Sequence, residues 1–331
     1  MKSEHRTMPN AAPIDWQVLN ALLRAKGPTN IQHLATQLHS TIDDIRDCIA
    51  RLEVDGCKFD HSIQGCQLIE AGLGTWGDFL KPITSLTQVY QQTASTQDAL
   101  RRLIEHHGRQ ADSAVVVADS QSAGRGRMGR QWLAPPGRCL LFSRAWVGSN
   151  ADPIHTINRL TFSTAVAMAM GIESVTNLNV SIKWPNDLLI DGKKLAGILV
   201  ETMTLPNGQL AAMIGVGINV NLNQADLQTM PAEVQDIPMS LLLHNQTVDR
   251  LLVLYSVLDA LNSALSETDT EKILTQWRKR SMLMGTHISI QHNAKTYTGT
   301  VADLDLADGL ILRTDHGSLV HLPAVSSTIV T

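Results

Sequence analysis

Residues 181–219 read SIKWPNDLLIDGKKLAGILVETMTLPNGQLAAMIGVGIN. Three apolar runs stand out in this stretch: Leu188-Leu189-Ile190, Leu195 to Val200 and Ala212 to Val216. They are separated by Asp191-Gly192 and by Asn207-Gly208, dipeptides that supply the left-handed backbone of a tight hairpin. The stretch therefore reads as consecutive strands of one sheet. Working outward, Ala114 to Ala118 and Cys139 to Ser143 are further buried strand candidates. His155 to Ser174 is a long helix, and residues 249–280 form a closing helix pair. This pattern predicts an α+β layer on a mixed sheet and not a βαβ repeat.

The flanks differ in character. Ile14, Val18, Leu19, Leu22 and Leu23 recur at helical spacing, and Gly27-Pro28 stops that helix. Ile31, Leu34, Ala35 and Leu38 mark a second helix, His39-Ser40-Thr41 a turn, and Ile42, Ile45, Ile49 and Leu52 a third helix ending near Gly56. Lys58-Phe59-Asp60 and Gln67-Leu68-Ile69, joined through Gln64-Gly65, suit a hairpin. That order is the order of a winged helix-turn-helix, and equally of a three-helix domain with no DNA role. Ala71 to Asp78, AGLGTWGD, reads as a linker. The last 50 residues alternate with period two in short strands, with turns expected at Gly299, Asp308-Gly309 and His316-Gly317, which suggests a small β-barrel. The expected domains are residues 1–75, 76–280 and 281–331.

The chain has 331 residues, 44% hydrophobic and 18% charged, which fits a globular protein of two or three domains. Its 27 Lys+Arg against 31 Asp+Glu give a net charge of −4, which excludes a globally basic nucleic-acid coat. Residues 1–70 hold seven Lys+Arg and nine Asp+Glu, and Asp43, Asp44 and Asp47 crowd the start of the third helix. Acids there oppose a polyanion, although Thr41 and Asp44 also have the spacing of a capping box. The longest quiet stretch, Leu160 to Ile172, falls short of the ~20 apolar residues a membrane span needs. The opening MKSEHRTMPN has no apolar core of a signal peptide. Cys48, Cys57, Cys66 and Cys139 lack C-x-x-C spacing, and the twelve histidines form no zinc pattern. A cytoplasmic protein with buried thiols is expected.

The densest chemical signal is QSAGRGRMGR, Gln121 to Arg130. Five arginines and one acid lie between Asp119 and Arg144. Guanidinium groups offer paired donors to phosphate or carboxylate, and glycines let the backbone approach a ligand closely. Gly124-x-Gly126-x-x-Gly129 also matches G-x-G-x-x-G, but QWLAPPG follows it, which cannot open a Rossmann helix. A second signal is Lys183-Trp184-Pro185-Asn186-Asp187, where an Asp beside a phosphate site commonly holds Mg²⁺, or a plain turn. A third is Lys194 entering a buried strand, or a solvated hairpin tip. A fourth is Gly215-Val216-Gly217-Ile218-Asn219, a glycine-rich strand end, or simply close strand packing.

Together and in this order, the four resemble the hallmarks of the biotin protein ligase family, G-R-G-R-x-G-R, K-W-P-N-D, K-L-A-G-I-L-V-E and G-I-N. That family includes members that also repress a biotin operon. The match runs from about Ser95 to Asn219. The resemblance implies an α+β fold with an N-terminal winged helix-turn-helix, a central mixed-sheet ligase domain with flanking helices and a C-terminal small SH3-like β-barrel. It implies ATP-dependent activation of biotin to biotinyl-5′-AMP and transfer to the acceptor lysine of the biotin carboxyl carrier protein of acetyl-CoA carboxylase. By this resemblance Lys194, Arg127 and Arg125 are catalytic. Biotin would be held by Ser95, Thr96, Gln97, Gln121, Gly124, Gly126 and the arginines, with its stem on Trp132 and Gly197. The nucleotide would meet Arg127, Arg130, Lys183, Asn186, Asp187 and Asn219, with Mg²⁺ on Asp187. Operator DNA and a homodimer formed on adenylate binding are the further implied partners, with no membrane. Two departures stand out. Gln97 replaces the Asn of the family's S-T-N, and Val220 to Pro238 holds no aromatic to cover adenine, for which Ile237 is the substitute. A lipoate–protein ligase would carry an R-R-x-x-G-G-G-type loop, which this chain lacks. A biotin-sensing regulator without ligation is the alternative from another class.

Overall fold

A computed structural model describes residues 13–148, 152–230 and 238–330; the MKSEHRTMPN opening and Ile237 lie outside the described residues. The chain divides into two compact units, one ending at Pro82 and one beginning at Ile83.

The first unit contains α1 (Ile14–Arg24), α2 (Ile31–Gln37), α3 (Ile42–Val54), the hairpin β1 (Lys58–Ser62) and β2 (Gly65–Glu70), and α4 (Leu73–Leu80). Asn30 caps α2, accepting from the backbone N–H groups of Gln32 and His33 at 2.8 and 3.2 Å. Thr41 and Asp44 form the capping box of α3, so the acids of its first turn serve the helix terminus. Val18, Leu22, Leu34, Ile45 and Ile49 form the buried core. The expected linker is wrong. Residues 73–80 are helical because Trp76, Phe79 and Leu80 fall on one face and are buried. Trp16 stacks on Phe79 with ring centroids 5.1 Å apart, and its Nε1 donates to the Phe79 carbonyl at 2.9 Å. Burying such side chains contributes roughly 1.5–3 kcal/mol each, which outweighs the ~1 kcal/mol cost of a glycine inside a helix.

The second unit is built on a seven-stranded sheet. In chain order it comprises β3 (Thr87–Thr93), α5 (Thr96–His107), β4 (Val115–Gln121), β5 (Cys139–Gly148), α6 (Pro153–Val175), β6 (Ser181–Lys183), β7 (Asp187–Ile190), β8 (Lys193–Thr204), β9 (Leu210–Asn219), α7 (Gln224–Gln228), α8 (Arg250–Ser266) and α9 (Thr270–Arg280). The strands lie in the order β3-β4-β5-β9-β8-β7-β6. β3 and β4 are parallel across α5, and every other pair is antiparallel, so the sheet is mixed. β3 was not legible, because Thr87-Gln88-Val89-Tyr90-Gln91-Gln92-Thr93 is mostly polar. Every residue of β9 is buried, as expected where helices cover both faces. α5 packs Ala99, Leu100, Leu103 and Ile104 against Val116, Ala145, Val147, Ala211 and Met213.

A five-stranded antiparallel sheet follows: β10 (His287–His292), β11 (Lys295–Asp305), β12 (Gly309–Thr314), β13 (Leu319–Leu322) and β14 (Ser327–Val330), in the order β13-β12-β11-β10-β14. The turn expected at Gly299 is not there. Gly299 lies inside β11, where a Cβ would come within 2.1 Å of the Arg313 carbonyl oxygen. The chain reverses instead at Asn293 and Ala294, whose φ angles are 49° and 62°.

Candidate active site

The face of the sheet that α5 covers is hollowed by glycine. Side chains alternate along strands, so Gly215 and Gly217 of β9 point the same way as Ala211 and Met213. In register, Gly217 pairs with Gly197 of β8 and with Leu141 of β5; Gly215 pairs with Leu199 and Ser143. The bare backbone lets Gln97 and Trp132 lie close over this patch, and a cavity of about 350 Å³ opens beside them. Trp132 roofs the glycines. A Cβ on Gly217 would come within 2.4 Å of the indole, and one on Gly197 within 2.9 Å.

Uncharged polar groups gather on the β4–β5 side. Ser95 caps α5, accepting from Gln97 N at 3.2 Å. Thr96 donates its backbone N–H and Oγ1 to Gln121 Oε1 at 2.7 and 3.2 Å, and Thr96 Oγ1 sits 2.8 Å from Ser143 Oγ. Gln97 is buried, and its Nε2 donates to the Leu199 carbonyl at 2.8 Å.

Cations gather on the β6–β8 side. The β7–β8 hairpin, turned at Asp191-Gly192 as expected, places Lys194 Nζ 2.7 Å from Asp187 Oδ1 and 5.6 Å from the Trp132 ring centre. The Lys194 carbonyl accepts from Met239 N at 2.7 Å and from Asn219 Nδ2 at 3.3 Å, which fixes the backbone beneath the ammonium. Asn186 follows the cis Trp184–Pro185 bond and donates Nδ2 to the Ile198 carbonyl at 2.8 Å.

The arginine loop folds back on itself: Gly126 N donates to the Arg130 carbonyl at 2.7 Å and Trp132 N to the Gly124 carbonyl at 3.0 Å. Arg125 forms a bidentate pair with Asp98, both bonds 2.8 Å, and lies 3.4 Å from Glu201. The hydrogen bond from Arg125 holds the Asp98 carboxyl below the usual carboxylate range. Arg127 donates to Asn186 Oδ1 at 3.2 Å and to the backbone carbonyls of Ala324, in the turn before β14, and of Ser327, the first residue of β14. Burial lowers its pKa, partly offset by Asp187.

Of the expected residues, Ser95, Thr96, Gln97, Gln121, Arg125, Gly126, Arg127, Arg130, Trp132, Lys183, Asn186, Asp187, Lys194 and Gly197 line this one cavity. Gly124 and Asn219 do not; Asn219 braces Lys194 from behind. Sequence reading missed Asp98, the partner of Arg125, and Leu283, Thr328 and Ile329, which bring the C-terminal sheet into the cavity wall. No local pattern announces contacts that span some 200 positions. Among the described residues no cluster of three or more His, Cys, Asp or Glu could cage a metal ion. Asp187 is a single carboxylate already engaged by Lys194, so it suits only a cation carried in on phosphates.

Residues 89–221 match the model of the biotin/lipoate A/B protein ligase family. The bifunctional ligase/repressor BirA of Bacillus spizizenii is 32% identical over 234 residues, 69% of this chain and 70% of that protein. The biotin–[acetyl-CoA-carboxylase] ligase of Mycobacterium tuberculosis is 31% identical over 268 residues, 77% of this chain and 93% of the relative. The biotin protein ligase of Aquifex aeolicus, solved with biotin and ATP, superposes with a TM-score of 0.59 at 25% identity, covering 74% of this chain and 99% of that one.

Proposed function

We propose that this chain, which belongs to the biotin/lipoate A/B protein ligase family, biotinylates the carrier protein of acetyl-CoA carboxylase in the cytoplasm. It is an ATP-dependent ligase. A biotin carboxylate oxygen attacks the α-phosphorus of ATP and pyrophosphate leaves. The acceptor lysine nitrogen then attacks the acyl carbon of biotinyl-5′-AMP, and AMP leaves with the electron pair of the broken C–O bond. One observation carries this reading: a single cavity runs from uncharged hydrogen-bonding groups over β4–β5 to Lys183, Lys194 and Arg127 over β6–β8. That gradient fits a neutral ring at one end of a ligand and an acyl phosphate at the other.

Catalysis here is positioning and charge neutralisation. Thr96 and Gln121 hold the ring, and the stem lies along Trp132 and Gly197. Lys194 moves its charge from Asp187 to the carboxylate and α-phosphate. Arg125 exchanges Asp98 and Glu201 for the ligand anion, an exchange made easy by the half-exposed setting of that pair. Lys183, Arg130, Asn186 and Asp187 bound the triphosphate end, where Mg²⁺ would supply further neutralisation of the phosphates. With biotin, ATP and a carboxyl carrier domain, the chain is expected to release pyrophosphate and label the carrier. Turnover with lipoate but not biotin would refute this, and biotin binding without pyrophosphate release would leave only a sensor.

A repressor role rests on the helix–helix–helix–hairpin order of the first unit, read as a winged helix-turn-helix, and on relatives named ligase/repressor. In this reading the C-terminal sheet is an SH3-like barrel and the adenylate-bound chain dimerises on operator DNA. Asp43 and Asp47 on α3 oppose phosphate contact. A salt titration on the chain's own upstream DNA, with biotinyl-AMP present, decides it: no affinity even at low salt rejects repression.

A further inference from the structure

Glu201 ends the stretch that begins at Lys194. Alternation along β8 puts it on the same face as Gly197 and Leu199, which line the cavity, and one step beyond them. Arg125 reaches out of the arginine loop to Glu201 at 3.4 Å and pairs with both carboxylate oxygens of Asp98 at 2.8 Å. One guanidinium thus spans two carboxylates on two elements, α5 and β8, at the cavity wall. Neither carboxylate depends on Arg125 alone. Arg101 Nη2 lies 3.6 Å from Glu201 Oε2. Arg101 and Arg102 follow Asp98 by three and four positions on α5, one turn away. The hydrogen bond from Arg125 does most to hold the Asp98 carboxyl below the usual carboxylate range; the charges of Arg101 and Arg102 add to it, against partial burial. These cations stay in place if Arg125 leaves, so its departure strands no uncompensated acid. The side chain can also leave without the loop, because the Arg125 backbone is bridged to Gln131.

We propose that Asp98 and Glu201 are positioning residues that park Arg125 at the wall of the ligand-free cavity, and that Arg101 takes over Glu201 when Arg125 turns to a ligand anion. This rests on the ligase reading, which supplies the anion. Parking makes the loop's charge conditional. An anionic ligand draws Arg125 away, and a neutral ligand of the same shape leaves it on Asp98. The parked state competes with the ligand, so apparent affinity for an anion falls with the fraction of chains in which Arg125 is free. Arg101 works in the opposite sense: by sharing Glu201 it loosens the hold on Arg125. Carboxylates that merely braced the loop would act with the same sign on every ligand.

The test is titration calorimetry of the full chain with two ligands. One is a biotinyl-AMP analogue that keeps the phosphate but has a methylene in place of the acyl carbonyl; the other is the neutral methyl ester of biotin. Asp98→Asn and Glu201→Gln are each expected to bind the analogue roughly two- to fivefold more tightly, the scale of a half-exposed ion pair. Arg101→Met is expected to bind it more weakly by a similar factor. The ester is expected to bind all of them alike. Each substitution is repeated in Arg125→Met, which has no parked state, so that any effect of charge alone remains there and is subtracted. Unchanged analogue affinity in Asp98→Asn and Glu201→Gln, weaker binding of both ligands, or the same tightening in Arg125→Met would each overturn the parking while leaving the ligase reading intact. Failure of the unaltered chain to bind either ligand would sink both.

Discussion

In the proposed reaction Lys194 is the residue on which the chemistry turns, and its surroundings fit that role. Asp187 and the Trp132 ring hold the ammonium at the cavity wall until a stronger anion arrives. Removing one such charge from a preorganised site typically costs about 2–4 kcal/mol of transition-state stabilisation. Lys194→Ala is therefore expected to slow single-turnover adenylation by roughly a hundredfold or more while biotin still binds. A near-normal rate would assign the neutralisation to Arg127 instead. Gly217 offers a test of a different kind. A methyl at this position would sit 2.4 Å from the Trp132 indole and push it off the glycine patch. Gly217→Ala is expected to melt close to the unaltered chain but to lose most of its biotin affinity, and unchanged affinity would show that the ring does not lie where Trp132 roofs the sheet.

Among the elements, the β7–β8 hairpin is the most legible in sequence, and it brings Asp187 and Lys194 to the cavity wall. Asp191-Gly192 announces the turn, which sets Lys194 opposite Leu189; a register shift between Leu188 and Leu189 then sets Asp187 opposite Gly197, and the two side chains meet. That Lys194 and Gly197 reach the cavity could be read from their place on β8, where alternation fixes which side chains share a face. What could not be read depends on distant packing. Ala71 to Asp78 carries three glycines and reads as a linker, yet Trp16, far along the chain, supplies the stacking surface against which residues 73–80 form a helix. Asp98 gave no signal because its partner lies 27 positions away in a loop. One long-range contact at the hairpin tip is open to a pH test. His244 Nε2 lies 2.9 Å from Asp191 Oδ2, and that hydrogen bond raises the imidazole pKa above its ordinary 6.5. Folding thus gains from the charged pair at low pH, and the gain is lost as pH rises through the raised value. Amide exchange at residues 191–194, corrected for intrinsic rates, is expected to quicken above neutral pH, and His244→Ala should remove that step. A step that survives the substitution would place the titration elsewhere.

Across the second unit as a whole, Arg127 joins three parts: the arginine loop that carries it, Asn186 beside the β7–β8 hairpin, and the carbonyls of Ala324 and Ser327 at the entry to β14. Thr328 and Ile329 of that sheet also line the cavity, and Thr328 Oγ1 lies 3.1 Å from Met128 Sδ in the loop. Two further ties hold the same region together. Asn158 of α6 accepts from Ala324 N at 2.9 Å, and Arg278 of α9 donates to both carboxylate oxygens of Asp303 of β11. The C-terminal sheet is thereby a wall of the site and not an appendage. A partly buried guanidinium that satisfies carbonyl oxygens in two directions needs its planar fork, which a lysine cannot reproduce even though it keeps the charge. Arg127→Lys is expected to leave the seven-stranded sheet as protected as before, to speed amide exchange in residues 122–131 and in β14, and to weaken adenylate retention roughly tenfold, since one lost charge-assisted hydrogen bond costs about 1.5–3 kcal/mol. Unchanged exchange in β14 would mean that the sheet is held by Asn158 and Arg278 alone. Unchanged adenylate retention with faster exchange would confine Arg127 to fastening the wall, with Arg125 and Lys194 left to meet the phosphate.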